Sequence, residues 1–222
     1  MRLIRGLNHF EPFRQGCVLT IGNFDGLHLG HRQVLDRLAE HGRRLNLPVV
    51  AMIFEPQPLE YFLADHAPSR LTRLREKAIQ FAKAPVDELL VLPFNRRMSD
   101  IDAESFIKDI LVDKLNIKHL VIGDDFHFGK ARRGNFALLQ QRGERHGFTV
   151  EATPSFEVQG LRVSSTLIRD ALGDGDLAQA RLLLGRDYSV CGRVAQGDRL
   201  GRELGFPTAN IQMLRKNTPL AG

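Results

Sequence analysis

Tryptophan is absent from this chain of 222 residues, and the chain contains only two cysteines and two tyrosines. The cysteines, Cys17 and Cys191, lie far apart, which argues against a disulfide scaffold and predicts free thiols in a reducing cytoplasm. No apolar run approaches the about 18 residues that a membrane-spanning helix needs. The first residues lack the apolar stretch and small-residue cleavage site of a signal peptide, so we expect no secretion signal.

The composition is that of an ordinary globular protein. Apolar residues make up 43% of the chain and charged residues 26%. Lysine and arginine outnumber aspartate and glutamate by 31 to 26, which gives a formal net charge of +5. Anionic substrates, nucleic acid or solubility alone would each explain so small an excess, so the charge selects no function. The length allows one large domain, or one domain and part of a second.

Buried-strand patterns alternate with amphipathic helical patterns over the first two thirds of the chain. The strand patterns occupy residues 17–22, 49–54, 88–94, 119–123 and 148–153. The helical patterns occupy residues 31–45, 70–84, 101–116 and 135–147, and a cap for the third is expected at Ser99 or Asp100. This alternation predicts an α/β fold with a parallel sheet covered by helices on both faces. Ligands of such sheets bind beyond the carboxyl ends of the strands.

The pattern changes toward the end of the chain. Residues 160–186 are mostly helical, whereas short β-like pieces split by glycine and proline follow Tyr188. We therefore predict a domain boundary near residue 186, with a first domain at 1–186 and the start of a second at 187–222. The second segment is too short to form an independent all-β domain.

The stretch "GNFDGLHLGH", residues 22–31, follows the first buried strand and runs into a helix. A helix N-terminus offers free N–H groups and the positive end of a dipole, which suits a phosphate. His28 and His31 fall on one side of the first turn, where both imidazoles could donate to phosphate oxygens. Two alternatives stay open, a zinc site and ordinary capping histidines, although no further Cys or His cluster completes a zinc site. Dinucleotide and Walker A glycine patterns are absent.

A second phosphate-type pattern lies at "VSSTLIR". Three hydroxyls, those of Ser164, Ser165 and Thr166, precede a helix that carries Arg169. Hydroxyls and helix N–H groups can hold phosphates, and a guanidinium can neutralise a leaving pyrophosphate. A plain N-cap with a solvated arginine is the alternative interpretation. The lysine-rich loop of a class I aminoacyl-tRNA synthetase is absent, although His-x-Gly-His also resembles that class.

Five segments in order extend this pattern: "IGNFDGLHLGHRQVL", "FEPQPLEYF", "VIGDDFHFGKARRGN", "VSSTLIRDAL" and "GRVAQGDRLGRELGFPTANI". Together they resemble the bacterial bifunctional riboflavin kinase/FMN adenylyltransferases, or FAD synthetases. The resemblance implies a Rossmann-like nucleotidyltransferase sheet followed by the start of a β-barrel riboflavin kinase domain. It implies transfer of AMP from ATP to FMN, giving FAD and pyrophosphate, with Mg²⁺ as cofactor. It also implies small-molecule substrates only (ATP, FMN and riboflavin), with no nucleic-acid partner and no membrane.

The resemblance also implies site residues. The catalytic residues would be His28, His31 and Arg169. ATP would contact Gly22, Asn23, Phe24, Asp25, Gly30, Ser164, Ser165 and Thr166. FMN would contact Phe54, Pro56, Pro58, Asp124, Asp125, Phe126, Phe128 and Arg132. In the kinase segment, Thr208 would ligate Mg²⁺ and Asn210 would lie at the nucleotide phosphates. Many members carry His where this chain has Gln57, to which we assign no chemical role, and adjacent aspartates are weak evidence for Mg²⁺ at Asp124 and Asp125.

The sequence departs from the family pattern at its end. The chain stops at Gly222, before most of the kinase barrel and before its catalytic glutamate. We therefore expect a longer parent protein to phosphorylate riboflavin. We also expect residues 187–222 to be poorly ordered or packed opportunistically. Two other functions are weighed. A sibling transferase acting on phosphopantetheine or nicotinamide mononucleotide fits the "FGKARRGN" and "GFPTAN" segments poorly. An RNA-binding protein would need basic residues interleaved with exposed aromatics, and only Arg132 and Arg133 lie beside phenylalanines.

Overall fold

The computed structural model describes residues 1–7, 10–195, 205–206, 209–213 and 218–220. Its centre is a six-stranded parallel sheet in the order β1-β4-β3-β2-β5-β6. The strands are β1 (Arg2–Arg5), β2 (Cys17–Ile21), β3 (Val49–Glu55), β4 (Glu88–Pro93), β5 (Ile117–Gly123) and β6 (Thr149–Thr153). Two short antiparallel pairs lie outside this sheet, namely β7 (Glu157–Val158) with β8 (Leu161–Arg162) and β9 (Arg193–Ala195) with β10 (Asn210–Gln212).

Helices cover both faces of the sheet, as the alternating pattern predicts. They are α1 (Leu29–Leu45), α2 (Pro58–Leu63), α3 (Leu74–Phe81), α4 (Arg96–Asp100), α5 (Ala103–Ser105), α6 (Phe136–His146), α7 (Ser165–Gly173) and α8 (Leu177–Leu184). A π-helical segment, Phe106–Lys114, continues α5. None of the helices in the described part of the chain is both long and apolar enough to cross a membrane.

The strands bury both of their faces, which explains their continuous apolar sequences. Successive residues of β2 enter different cores, because side chains alternate across a strand. Val18 packs with the α1 residues Leu35 and Leu38 on one face. Leu19 packs with Ile107 of the π-helical segment on the other face. The helical pattern at 31–45 and the strand pattern at 17–22 are thus confirmed together.

Three local features differ from the sequence-based predictions. The edge strand β1 pairs with β4, with Arg2 opposite Glu88. It has only four residues, and because they are largely exposed they show no buried-strand pattern. Helix α2 forms in a segment to which the sequence patterns assign neither helix nor strand, since Pro58 at its first position needs no N–H partner. The expected cap at Ser99 or Asp100 is wrong, because Asp102 accepts the Ser105 N–H at 2.9 Å and begins the helix there.

The strand order creates a crevice at the carboxyl edge of the sheet. From β2 the chain moves outward through β3 and β4, and then returns to the other side of β2 for β5 and β6. The connections that follow β2 and β5 therefore diverge, and this topological switch point is where open α/β sheets bind ligands. Helices α7 and α8 pack together with Leu71 in a third core beside this edge. The N-terminus of α7 lies against the connection after β2.

Candidate active site

The connection from β2 to α1 is a tight turn with an unusual backbone. Phe24 and Leu27 have positive φ angles of 47° and 42°, and Gly26 has a φ of 81°. A Cβ added at Gly26 would lie 2.8 Å from Cδ1 of Leu71. Glycine is therefore required there both by the backbone conformation and by the close approach of a neighbouring segment. We call residues 22–28 the phosphate loop.

His28 is the N-cap of α1, and its imidazole lies on that of His31. The Nδ1 atom of His28 accepts the His31 backbone N–H at 3.3 Å, which places the proton of a neutral His28 on Nε2. The two ring centroids are 3.6 Å apart with an angle of 17° between the planes. The predicted placement of both rings on one side of the first turn is observed.

Burial keeps both histidines of this pair neutral. It lowers the pKa of His28 to about 4, with Asp25 opposing the shift and Arg186 and Arg169 adding to it. Burial also lowers the pKa of His31 well below its ordinary value, and the neighbouring His28 adds to that shift. At neutral pH the pair therefore offers hydrogen-bond donors without positive charge, in a site of low local dielectric.

Asp25, predicted to contact ATP, is buried and holds the phosphate loop against a distant segment. Its carboxylate accepts the backbone N–H groups of Leu71 at 3.0 Å and Thr72 at 2.9 Å, and the Thr72 hydroxyl at 3.1 Å. It also pairs with Arg169, whose Nη2 lies 3.1 Å away. The Nε of Arg169 donates to the carbonyl of Ser69 at 2.7 Å. Asp25 and Arg169 are thus committed to each other and to residues 69–72.

The remaining predicted loop residues are placed as follows. Gly22 continues β2, and its N–H donates to the Met52 carbonyl at 3.2 Å. Asn23 is exposed at the tip. The ring of Phe24 is buried, with its centroid 5.0 Å from that of His31. A Cβ at Gly30 would lie 3.3 Å from Nδ1 of His28, so the absence of a side chain there leaves room for the imidazole pair.

The hydroxyl segment begins α7 beside the phosphate loop. Ser164 is the N-cap, and its Oγ accepts the Leu167 N–H at 3.2 Å. Ser165 donates from Oγ to the backbone carbonyl of Asp25 at 2.9 Å. Thr166 is exposed on the first turn. The structure therefore brings the N-termini of α1 and α7 together around one loop, where two helix dipoles favour the same anion.

Sequence reasoning missed a buried lysine beneath this loop. Lys77 of α3 is fully buried, and its Nζ donates to the Asn23 carbonyl at 2.5 Å. Burial lowers the pKa of its ammonium group, while the carboxylates of Asp25 and Glu55 oppose the shift. Only the amphipathic pattern of α3 was visible in the sequence, and that pattern does not distinguish a lysine that turns inward from one that is solvated.

The predicted flavin residues after β5 divide into packed and exposed groups. The rings of Phe126 and Phe128 stack with centroids 5.7 Å apart, and Phe128 is buried. Asp124 accepts from the Ser155 hydroxyl at 3.0 Å. Asp125 pairs with Arg162 at 3.3 Å. Arg132, by contrast, is exposed.

The second predicted flavin segment follows β3. Phe54 packs edge-on against Phe94 with centroids 5.6 Å apart. Pro56 is exposed, and Pro58 begins α2. Between them, Gln57 is buried, and its Nε2 has no hydrogen-bond partner among the described residues. In the kinase segment, Thr208 lies outside the described residues, whereas Asn210 is exposed in β10, opposite Ala195 of β9.

The described carboxylates near the crevice are already engaged. Asp25 accepts four hydrogen bonds, and Asp124 and Asp125 have Ser155 and Arg162 as partners. Mg²⁺ prefers several oxygen ligands in octahedral geometry and keeps much of its water. These residues do not form a dedicated cage for it. We therefore assign no Mg²⁺ ligand in this part of the chain.

A doubly wound parallel sheet with His-x-Gly-His at its switch-point loop defines the nucleotidyltransferase class of α/β proteins. Comparison with known proteins is more specific. The FAD synthetase family model matches residues 10–167, and the riboflavin kinase family model matches residues 184–222. The chain belongs to the FAD synthetase family, which confirms the resemblance inferred from the five segments.

Individual relatives agree with this assignment. The chain is 52% identical over 223 aligned residues to a bifunctional riboflavin kinase/FMN adenylyltransferase of Escherichia coli (strain K12), covering all of this chain and 71% of the relative. A protein of the same name from Haemophilus influenzae is 50% identical and is covered to 72%. A solved structure from Streptococcus pneumoniae, named as a macrolide-efflux protein, superposes with a TM-score of 0.85 at 27% identity, covering all of this chain and 73% of the other.

Proposed function

We propose that this protein transfers AMP from ATP to FMN, giving FAD and pyrophosphate. The observation that carries the proposal is the stacked, neutral pair of His28 and His31 at the start of α1, where the N-terminus of α7 also meets the phosphate loop. Two helix N-termini and two imidazole donors favour a polyphosphate at this point. Membership of the FAD synthetase family names the second substrate.

In the proposed reaction, a phosphate oxygen of FMN attacks the α-phosphorus of ATP in line. A P–O bond forms there, the bond to the bridging oxygen of the β-phosphate breaks, and pyrophosphate leaves with its electron pair. A general base is unnecessary, because a phosphate monoester with a second pKa of about 6 is already ionised. His28 donates from Nε2 to the phosphate oxygens that gain charge, and His31 supports that ring. Positioning and electrostatic stabilisation supply the rate.

The other site assignments are part of the same proposal. Gly22, Asn23, Thr166 and Gly30 line the ATP side, with Phe24, Asp25, Ser164 and Ser165 holding the loop that binds it. The role of Arg169 at the leaving pyrophosphate stays a prediction, supported by its position between Asp25 and the start of α7. FMN would lie against Phe54, Pro56, Pro58, Asp124, Asp125, Phe126, Phe128 and Arg132. Mg²⁺ would enter bound to the ATP triphosphate and offset its charge.

We further propose that residues 187–222 belong to a riboflavin kinase domain, so that a longer protein also phosphorylates riboflavin to FMN. The family match to residues 184–222 supports this division. Thr208 and Asn210 remain its predicted nucleotide residues. Both cysteines are free thiols, which fits a cytoplasmic location.

The deciding experiment incubates the protein with Mg²⁺, ATP and FMN and separates the flavins by chromatography. The key variant is His28→Asn, because asparagine can still cap α1 and accept the His31 N–H. We expect FAD formation to fall by about 100-fold or more while the fold is kept. His146→Asn, at an exposed histidine of α6, is the matched control and should retain full activity.

Two results would overturn the proposal. A folded His28→Asn protein that makes FAD at the rate of the unmodified protein would remove the imidazole from the mechanism. Turnover with phosphopantetheine or nicotinamide mononucleotide, and none with FMN, would assign the chain to a sibling transferase. Riboflavin is tested in parallel, so that any FMN formed from it is measured separately from FAD formation.

A further inference from the structure

Arg186 reaches the phosphate loop from the far end of the chain. Helix α8 ends at Leu184, and Gly185 turns the backbone with a φ of 66°. A Cβ at Gly185 would lie 2.5 Å from Cδ2 of Leu29, so this turn packs directly against the first residue of α1. From there the Nη2 of Arg186 donates to the Gly26 carbonyl at 2.7 Å. The guanidinium is therefore fixed beside the loop.

This half-buried guanidinium lacks partners for two of its nitrogen atoms. Its Nε and Nη1 atoms are shielded from solvent and have no hydrogen-bond partner among the described residues. Within the described part of the chain, no carboxylate pairs with it, whereas Arg169 pairs with Asp25 and Arg70 pairs with Glu55. A partly buried cation whose shielded N–H groups have no acceptor is costly, and an anion would remove that cost.

The electrostatic surroundings of Arg186 favour an anion beside it. The charge of Arg186 acts on His28 and adds to the burial that lowers the pKa of that imidazole. Burial, followed by repulsion from Arg32, lowers the pKa of Arg186 itself. Arg186, Arg32 and the neutral His28 thus lie near the N-terminus of α1, and the carboxylate that acts on His28, that of Asp25, is already paired with Arg169. The N–H bonds of Nε and Nη1 point in different directions, so separate oxygens would accept from them, and a polyphosphate at the phosphate loop supplies several such oxygens.

We propose that Arg186 binds a phosphate of ATP and the leaving pyrophosphate through Nε and Nη1, so that the adenylyltransferase site is completed by a residue of the segment that matches riboflavin kinase. This inference rests on the proposed placement of ATP at the phosphate loop. The competing explanation is that Arg186 only holds the Gly26 carbonyl in place. That explanation requires a hydrogen-bond donor to the Gly26 carbonyl but no positive charge.

The test compares Arg186→Gln, which can still donate to Gly26 but has no charge, with Arg181→Gln. Arg181 lies on α8, is mostly exposed and pairs with Asp187 at 3.3 Å, so its variant removes the same charge from the same region. We measure KM for ATP, KM for FMN and the dissociation constant of pyrophosphate by calorimetry. In Arg186→Gln we expect the KM for ATP and the dissociation constant of pyrophosphate to rise about 10- to 100-fold, with KM for FMN unchanged. Arg181→Gln should match the unmodified protein.

The outcomes separate this inference from the proposed function. If Arg186→Gln binds ATP and pyrophosphate normally while His28→Asn loses turnover, Arg186 is only a clamp and this inference alone fails. If His28→Asn also keeps full turnover, the proposed site itself fails. Should Arg186→Gln not fold, Arg186→Lys carries the test. Lysine keeps the charge but replaces the separate Nε and Nη1 donors with one ammonium group, so pyrophosphate should bind about tenfold more weakly, and unchanged binding would overturn the inference.

Discussion

At the scale of single residues, the site depends on buried polar groups whose partners lie far away in the sequence. The spacing of His28 and His31 is local, so their placement on one side of the first turn could be predicted from the sequence. The partners of Asp25 are Leu71, Thr72 and Arg169, and no local pattern connects them. Sequence reasoning therefore placed Asp25 and Arg169 near ATP, but could not predict that they bind each other.

Lys77 provides a prediction at this scale. Lys77→Met keeps the volume of the side chain but removes its donor to the Asn23 carbonyl. Because a buried cation is costly, we expect the free energy of unfolding to change by no more than about 1 kcal/mol. FAD formation should nevertheless fall about tenfold, since the tip of the phosphate loop is released. Urea unfolding and flavin chromatography measure the two effects, with the exposed Lys83→Met as control. Unchanged turnover would contradict this role.

At the scale of elements, α1 is attached to β5 and β6 by a second imidazole pair. The rings of His41 and His119 stack with centroids 3.7 Å apart, and Nε2 of His41 lies 2.8 Å from Glu151. Ligand atoms of these three residues lie within 4.8 Å of one another, a spacing compatible with a metal. Arg44 contacts His41 at 2.8 Å, however, and Arg37 binds Glu151 at 2.5 Å. The group is therefore an ion-pair network that joins a helix to two strands.

This network predicts sensitivity to acid. Burial, then the nearby His41, lowers the pKa of His119 from 6.5 to about 4. As the pH falls from 6.5 toward 4, the unfolded chain takes up a proton on His119 more readily than the folded chain does. The contribution of neutral His119 to the free energy of unfolding is therefore lost in this pH range and is fully present above it. When the pH is lowered from about 7.5 to about 5, the free energy of unfolding of the unmodified protein should fall by about 1–2 kcal/mol more than that of the His119→Phe variant.

Urea unfolding at the two pH values measures the difference. His146→Phe is the control, since this exposed histidine should leave the acid sensitivity of the protein intact. If His119→Phe loses as much stability on acidification as the unmodified protein, the network does not sense pH. The buried His28 and His31 titrate in all of these proteins and cancel in the comparison.

At the scale of the whole molecule, one segment connects the phosphate loop to the C-terminal part of the chain. Residues 71–77 hold the loop through Thr72 and Lys77. The same segment accepts the Cys191 N–H on Glu76 at 2.7 Å and donates from Arg73 to the Met213 carbonyl at 2.6 Å. The described part of the C-terminal segment therefore packs on the first domain.

Tyr188 tests this packing. Its hydroxyl donates to the Leu71 carbonyl at 3.2 Å, and its ring packs against the third core. Tyr188→Phe keeps the ring and removes the donor. We expect the free energy of unfolding to fall by about 1 kcal/mol, the ordinary contribution of one such bond. Thermal and urea unfolding measure the change, and a variant as stable as the unmodified protein would show that this hydrogen bond does not contribute to the free energy of unfolding.

The sequence predicted the sheet and its main helices because their signals are short-range periodicities. It predicted the phosphate loop for a related reason, since glycine spacing and a helix start are both local. The small edge strand β1 and helix α2 escaped prediction, because neither has a long apolar pattern. Arg186 escaped because its contact with Gly26 joins the two ends of the described domain, and only the folded topology brings them together.

The partners of the phosphate loop also determine when, during synthesis of the chain, the loop can reach its final conformation. The ribosome makes residues 22–28 early, yet the groups that hold them follow later, at Thr72, Arg169 and finally Arg186. Domains form as the chain emerges from its N-terminus, at a rate of about 5–20 residues per second. For several seconds of synthesis the loop therefore lacks its last clamp. We expect a nascent chain arrested before residue 186 to have its sheet in place but an unfinished reaction centre.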